Sequence, residues 1–150
     1  MLSQQFYKDG SLCYTSCGGE CVITEEELLA RLLFDLSNLN LPVGEVDVSL
    51  RPFSKTYYGR YFPVYNDDEV KPKIFIYPYA NTKNEMMDYD QILQIAIHEF
   101  CHHVQYTSGS FSRVRGVMHD TQFWQLYNHY CKRAVNKEIM GGDSFECKEI

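Results

Sequence analysis

The chain has 150 residues, 45% of them hydrophobic and 15% aromatic, with 14 basic against 20 acidic side chains and a formal net charge of −6. That length and apolar content fit one globular domain with a real core and exclude a disordered chain. The acidic balance argues against a general binder of nucleic acid or anionic membranes, which needs a basic face.

Residues 1–23 are polar and marked by glycines, and read as an irregular segment carrying Cys13, Cys17 and Cys21. The start, MLSQQFYKDG, has no apolar targeting region, and no apolar run approaches a membrane span. The expectation is a cytoplasmic protein (host cytoplasm, if the source is viral) with reduced cysteines and no membrane partner.

The stretch TEEELLARLLFDLSNLN reads as a helix. Thr24 and Glu27 have capping-box spacing. Leu28, Leu32, Leu36 and Leu39 recur at helical period, Leu29 and Leu33 widen the stripe, and Glu27 can pair with Arg31 one turn on. Leu41-Pro42-Val43-Gly44 ends the helix.

Three strands are expected next. VDVSL alternates Val46, Val48 and Leu50 with polar residues. YYGRYFPVY, residues 57–65, is aromatic and β-prone, with Pro63 at an edge or a strand end. KIFIYPY, residues 73–79, is a nearly continuous apolar run and reads as an inner strand. A second helix then starts near Asp88 or Asp90 and runs to about Thr107, stopped by Gly109. After the loop SGSFSRVRGVM comes a third helix, DTQFWQLYNHYCKRAV, with Asp120 as its N-cap and Phe123, Trp124, Tyr127, Tyr130 and Cys131 facing inward. Residues 107–133 carry Arg113, Arg115, Lys132 and Arg133 against Asp120, which reads as a solvated loop and helix face. The domain reading is 1–23, a cysteine-containing segment; 24–137, the folded unit; and 138–150, a tail.

The second helix contains His98-Glu99-Phe100-Cys101-His102, the form H-E-x-x-H. Positions i and i+4 share a helix face, so two imidazoles reach one ion at about 2.0–2.1 Å. Glu99 lies about 100° round the helix, awkward as a ligand but well placed to take a proton from metal-activated water. A catalytic zinc site takes three protein ligands and keeps one position open. Gln105 and Ser108 occupy the places where a metzincin has glycine and its third histidine. Residues 121–137 hold no Asp or Glu, so a thermolysin-like carboxylate is not supplied there. His119, just ahead of the third helix, is the favoured third ligand. His129 lies mid-helix and His103 should point away round the helix. Asp120 can support a ligand histidine as well as cap the helix.

His98-Glu99-x-x-His102, sixteen intervening residues, then His119-Asp120-x-x-Phe123-Trp124 resembles the SprT-like zinc metalloprotease family, the SprT and Spartan type. The likeness spans about residues 24–135 and includes Tyr58-Gly59-Arg60-Tyr61 and the apolar strand Lys73 to Tyr79. It implies a small α+β zincin domain, with about a three-stranded antiparallel sheet on three helices. It implies zinc on His98, His102 and His119, with Glu99 as general base for hydrolysis of peptide bonds in a protein or peptide substrate. The resemblance also implies DNA association, which the acidic charge does not support. The alternatives are a non-catalytic zinc-stabilised binding or virion-associated domain, and a zinc amidase acting on a non-protein amide. Tyr57, Tyr58, Arg113 and Arg115 are candidate oxyanion donors. Cys13, Cys17 and Cys21, with Cys147 as a fourth ligand, form a weak match to a second zinc site, and Cys101 reads as core.

Overall fold

The computed structural model describes residues 3–6, 12–15, 21–51, 54–63, 70–79, 86–108, 119–142 and 145. Residues 1–23, expected to be irregular, contain strands instead: β1 (Ser3–Phe6), β2 (Leu12–Thr15) and β3 (Cys21–Thr24) form an antiparallel meander in the order β1-β2-β3. Its strands carry little apolar alternation, so periodicity does not betray them; backbone pairing between short segments holds them together. Cys13 pairs with Thr24 and Thr15 with Cys21, while Cys17 and Cys147 lie outside the described residues.

Thr24 ends β3 and caps α1 (Glu25–Asn38), its hydroxyl accepting from Glu27 N–H at 3.1 Å. Three acids in the first turn favour the positive helix end. Leu28, Leu32, Leu36 and Leu39 are buried. Arg31 does not pair with Glu27; its guanidinium lies over the Tyr89 ring, 3.8 Å from the centroid. The Tyr89 hydroxyl in turn donates to Asp35, tying α1 to the start of α2 (Tyr89–Ser108). Desolvation and the Asp35 carboxylate push the Tyr89 phenol well above its ordinary value. α1 closes through Asn40 in the left-handed region (φ 64°), with Asn40 N–H bonded to Ser37 O and Leu41 N–H to Leu36 O. A short 3-10 turn, Val43–Glu45, leads to the second sheet.

That sheet holds β4 (Asp47–Leu50), β5 (Gly59–Phe62) and β6 (Lys73–Ile76) in the order β4-β6-β5. The class is α+β, as the sequence implies, but the sheet is mixed rather than antiparallel: β4 and β6 run parallel, β5 and β6 antiparallel. Successive hairpins would have put β5 in the middle. The centre goes to β6, whose Ile74 and Ile76 are fully buried, while β5, with Gly59 and Arg60 and followed by Pro63, takes an edge. The chain reverses twice between β4 and β6, so those two strands point the same way.

Val48, Leu50, Ile74, Ile76, Gly59 and Tyr61 share the face that packs on α2. α3 (Thr121–Asn136) packs on α2 from elsewhere round the helix. α2 is thus covered on more than one side, and Glu99, His102, His103 and Gln105 are buried together with Ile97, Phe100 and Cys101. Among the described residues no helix is long and apolar enough to cross a membrane.

Candidate metal centre

Helical period alone places His98 and His102 on one face of α2, with ring centroids 5.1 Å apart. His119 arrives from the segment before α3, and its Nε2 faces His98 Nε2 at 3.0 Å. One ligand nitrogen from each of the three rings lies within 4.8 Å of the others, close enough to hold a metal ion. Tetrahedral ligands at about 2.0–2.1 Å from a cation stand roughly 3.3 Å apart, so the spacing suits a single ion. Three imidazole nitrogens with no thiolate suit a first-row transition cation such as zinc, copper, iron or nickel and do not choose among them.

α3 fixes His119 through its cap. Asp120 Oδ1 accepts from Phe123 N–H at 2.8 Å and from the buried Gln105 side-chain amide of α2 at 3.0 Å. Asp120 therefore closes α3 and ties it to α2 at the same point. Gln105, at the position a metzincin gives to glycine, is a clamp between the two helices.

Beneath the cluster lies Phe123, fully buried, with its ring centroid 4.8, 4.6 and 4.7 Å from those of His98, His102 and His119. Trp124 lies beside His119 at 5.4 Å. Sequence reasoning assigns both residues to the core; Phe123 is core and also the floor of the site. The signal was its place one helical turn after His119. His119 is exposed as a residue, yet desolvation by its neighbours lowers its pKa below the ordinary imidazole value. A neutral ring is the form that binds a cation.

Glu99 is only 6% exposed, and desolvation raises its carboxyl to about 7. It lines the same cleft of about 940 Å³ as the three histidines, whose opposite wall is the edge strand: Tyr57, Tyr58, Gly59, Arg60 and Tyr61. Gly59 lets that wall come close. A Cβ there would meet Ile95 Cγ2 at 2.8 Å, Glu99 Cγ at 3.0 Å and the Phe75 carbonyl oxygen at 3.3 Å. Sequence reasoning passes over Gly59 as a functional position; a lone glycine inside an aromatic strand is the mark of such an approach.

The remaining histidines lie apart from the cluster. His103, pointing away from it, is buried and cross-links three elements: its Nδ1 meets the Tyr61 hydroxyl at 2.8 Å and its Nε2 meets Glu45 Oε1 at 3.2 Å. A carboxylate only accepts, so Nε2 donates to Glu45. His129 is exposed on α3, beside Lys132, Arg133 and Lys137. Cys101 and Cys131 are both buried, and neither forms a disulfide among the described residues. Of the oxyanion candidates, Tyr57 and Tyr58 stand on the cleft wall, whereas Arg113 and Arg115 lie outside the described residues.

Comparison with protein-family models, with curated proteins and with solved structures gives no match.

Proposed function

We propose that the chain is a zinc-dependent endopeptidase of the SprT-like, zincin kind, with His98, His102 and His119 as ligands and Glu99 as general base. The observation that carries this reading is the meeting of three imidazoles from two separate segments beside a buried carboxylate, all lining one cleft. A purely structural site has no use for that carboxylate. Zinc, when bound, activates water and polarises a scissile carbonyl.

The chain's own groups supply the rest. Glu99 receives the proton of the attacking water and delivers it to the leaving amine nitrogen. Burial raises its carboxyl, which favours the protonated form that it must reach on receiving the proton of the water. The edge of β5 not paired with β6 offers backbone groups along the cleft wall, and pairing there would align an extended substrate with little demand on its sequence. Tyr57 or Tyr58 can donate to the oxyanion from the same wall.

The test combines elemental analysis with cleavage of casein and capped peptides, with and without chelator. One zinc per chain is expected, with activity lost on chelation and restored by zinc. Glu99→Gln should keep the metal and lose roughly 10²-fold or more in turnover. His119→Ala should lower the zinc content. A Glu99→Gln protein that cleaves as fast as the parent would refute the assigned base.

A further inference from the structure

Resting on the peptidase reading, we infer that Arg60 makes the cleft selective for substrates with an acidic side chain close to the scissile bond. Among the described residues that line the cleft, Arg60 and Glu99 alone belong to the Lys, Arg, Asp and Glu set. With Glu99 committed to proton transfer, Arg60 is the fixed charge those described residues offer a substrate.

Its presentation is built. The guanidinium carbon lies 4.3 Å from the Tyr57 ring centroid and 4.6 Å from that of Phe62. These contacts hold the cation against two aromatic rings, and its fork of in-plane N–H donors matches a carboxylate in bidentate fashion. Among the described residues no carboxylate forms an ion pair with Arg60. Elsewhere the same chemistry is spent internally: Arg31 covers Tyr89 beside Asp35, and Arg51 covers Phe75 away from the cleft.

Position sets where the charge would be read. Arg60 follows Gly59, the residue in closest approach to Glu99. One strand step is about 3.3 Å and successive side chains alternate, so Arg60 is anchored one residue along the wall and its side chain leaves β5 beside Phe62 on the face turned from α2. A substrate strand lying along β5 then brings a side chain within one or two residues of the scissile bond over Arg60. A lysine there would meet a like charge, and a glutamate would complete the fork.

Matched peptides, acetylated and amidated so that a side chain is the sole variable charge, should carry Glu or Lys at one scanned position. With the zinc-loaded protein, kcat/KM should be at least about tenfold higher for the best Glu peptide than for its Lys counterpart. Arg60→Gln should erase the preference, and Arg60→Glu should reverse it. Binding of the same peptides to the Glu99→Gln protein, read by fluorescence anisotropy, should show the same order without turnover. Equal treatment of Glu and Lys peptides by the parent, or a preference that survives Arg60→Gln, would overturn the inference. Preferential binding without any cleavage would sustain the role of Arg60 and overturn the peptidase reading. Cleavage without preference would do the reverse.

Discussion

Substituting Gly59 by alanine tests whether β5 and α2 meet as closely as their geometry demands. The added methyl would sit 2.8 Å from Ile95 Cγ2 and 3.0 Å from Glu99 Cγ, where carbon atoms ordinarily rest about 3.5–4.0 Å apart. Ile95 is β-branched on a helix and its rotamer is stiff. The Phe75 carbonyl at 3.3 Å belongs to the paired strand and cannot swing aside. Either β5 lifts from α2, or Glu99 yields by several tenths of an ångström. Overpacking of this kind costs about 1–3 kcal/mol. For a chain of this size that lowers Tm by about 3–10 °C. On the proposed function, displacement of Glu99 should lower kcat/KM roughly 10- to 100-fold, while the zinc stoichiometry expected of the three histidines stays at one because none of them is touched. Calorimetry, zinc analysis and peptide kinetics on one preparation read all three. Ile95→Ala, which removes the nearest atom, should recover part of both losses in the double variant, a coupling of favourable sign. A Gly59→Ala protein with parental Tm and parental turnover would show that the approach is not tight and that the strand does not position Glu99.

Three further outcomes follow from the packing. Phe123→Leu keeps an apolar side chain but withdraws the ring that touches all three histidines; zinc affinity, measured by chelator competition, should fall about 10- to 100-fold. His103→Leu breaks the bonds to Tyr61 and Glu45; it should cost about 1–3 kcal/mol in urea unfolding and leave zinc stoichiometry unchanged, unlike any change at the adjacent His102. Glu138, just past α3, holds φ at 60°, with its N–H on Val135 O and Ile139 N–H on Ala134 O; Glu138→Gly should raise the urea midpoint, by about 0.5–1 kcal/mol in stability.

Local physics made part of this protein legible in one dimension. The α1 stripe, the Thr24 cap and the Asp120 cap depend on residues three or four apart, and they stand where the sequence puts them. So does the shared face of His98 and His102, because a helix repeats every 3.6 residues whatever surrounds it. The strand positions of residues 46–50, 57–65 and 73–79 were likewise readable, with shorter cores than the apolar runs.

Which partners those elements choose is another matter, because burial and pairing couple residues far apart in the chain. The sequence could not say that β6 would separate β4 from β5, or that Ser3–Phe6, Leu12–Thr15 and Cys21–Thr24 would pair as a meander. His103 shows the limit most clearly: the helical period turned it from the cluster, but only packing against Tyr61 and Glu45, 42 and 58 residues away, gave it partners. Arg60 carries no local mark of its setting, and the cleft makes it part of the wall because β5 has no second neighbour among the described strands. Spacing along one helix thus determined two candidate ligands and the carboxylate beside them. Bringing His119, Phe123 and the strand wall to that face required the closed tertiary structure, since only there does the free energy of burying each surface depend on all the others.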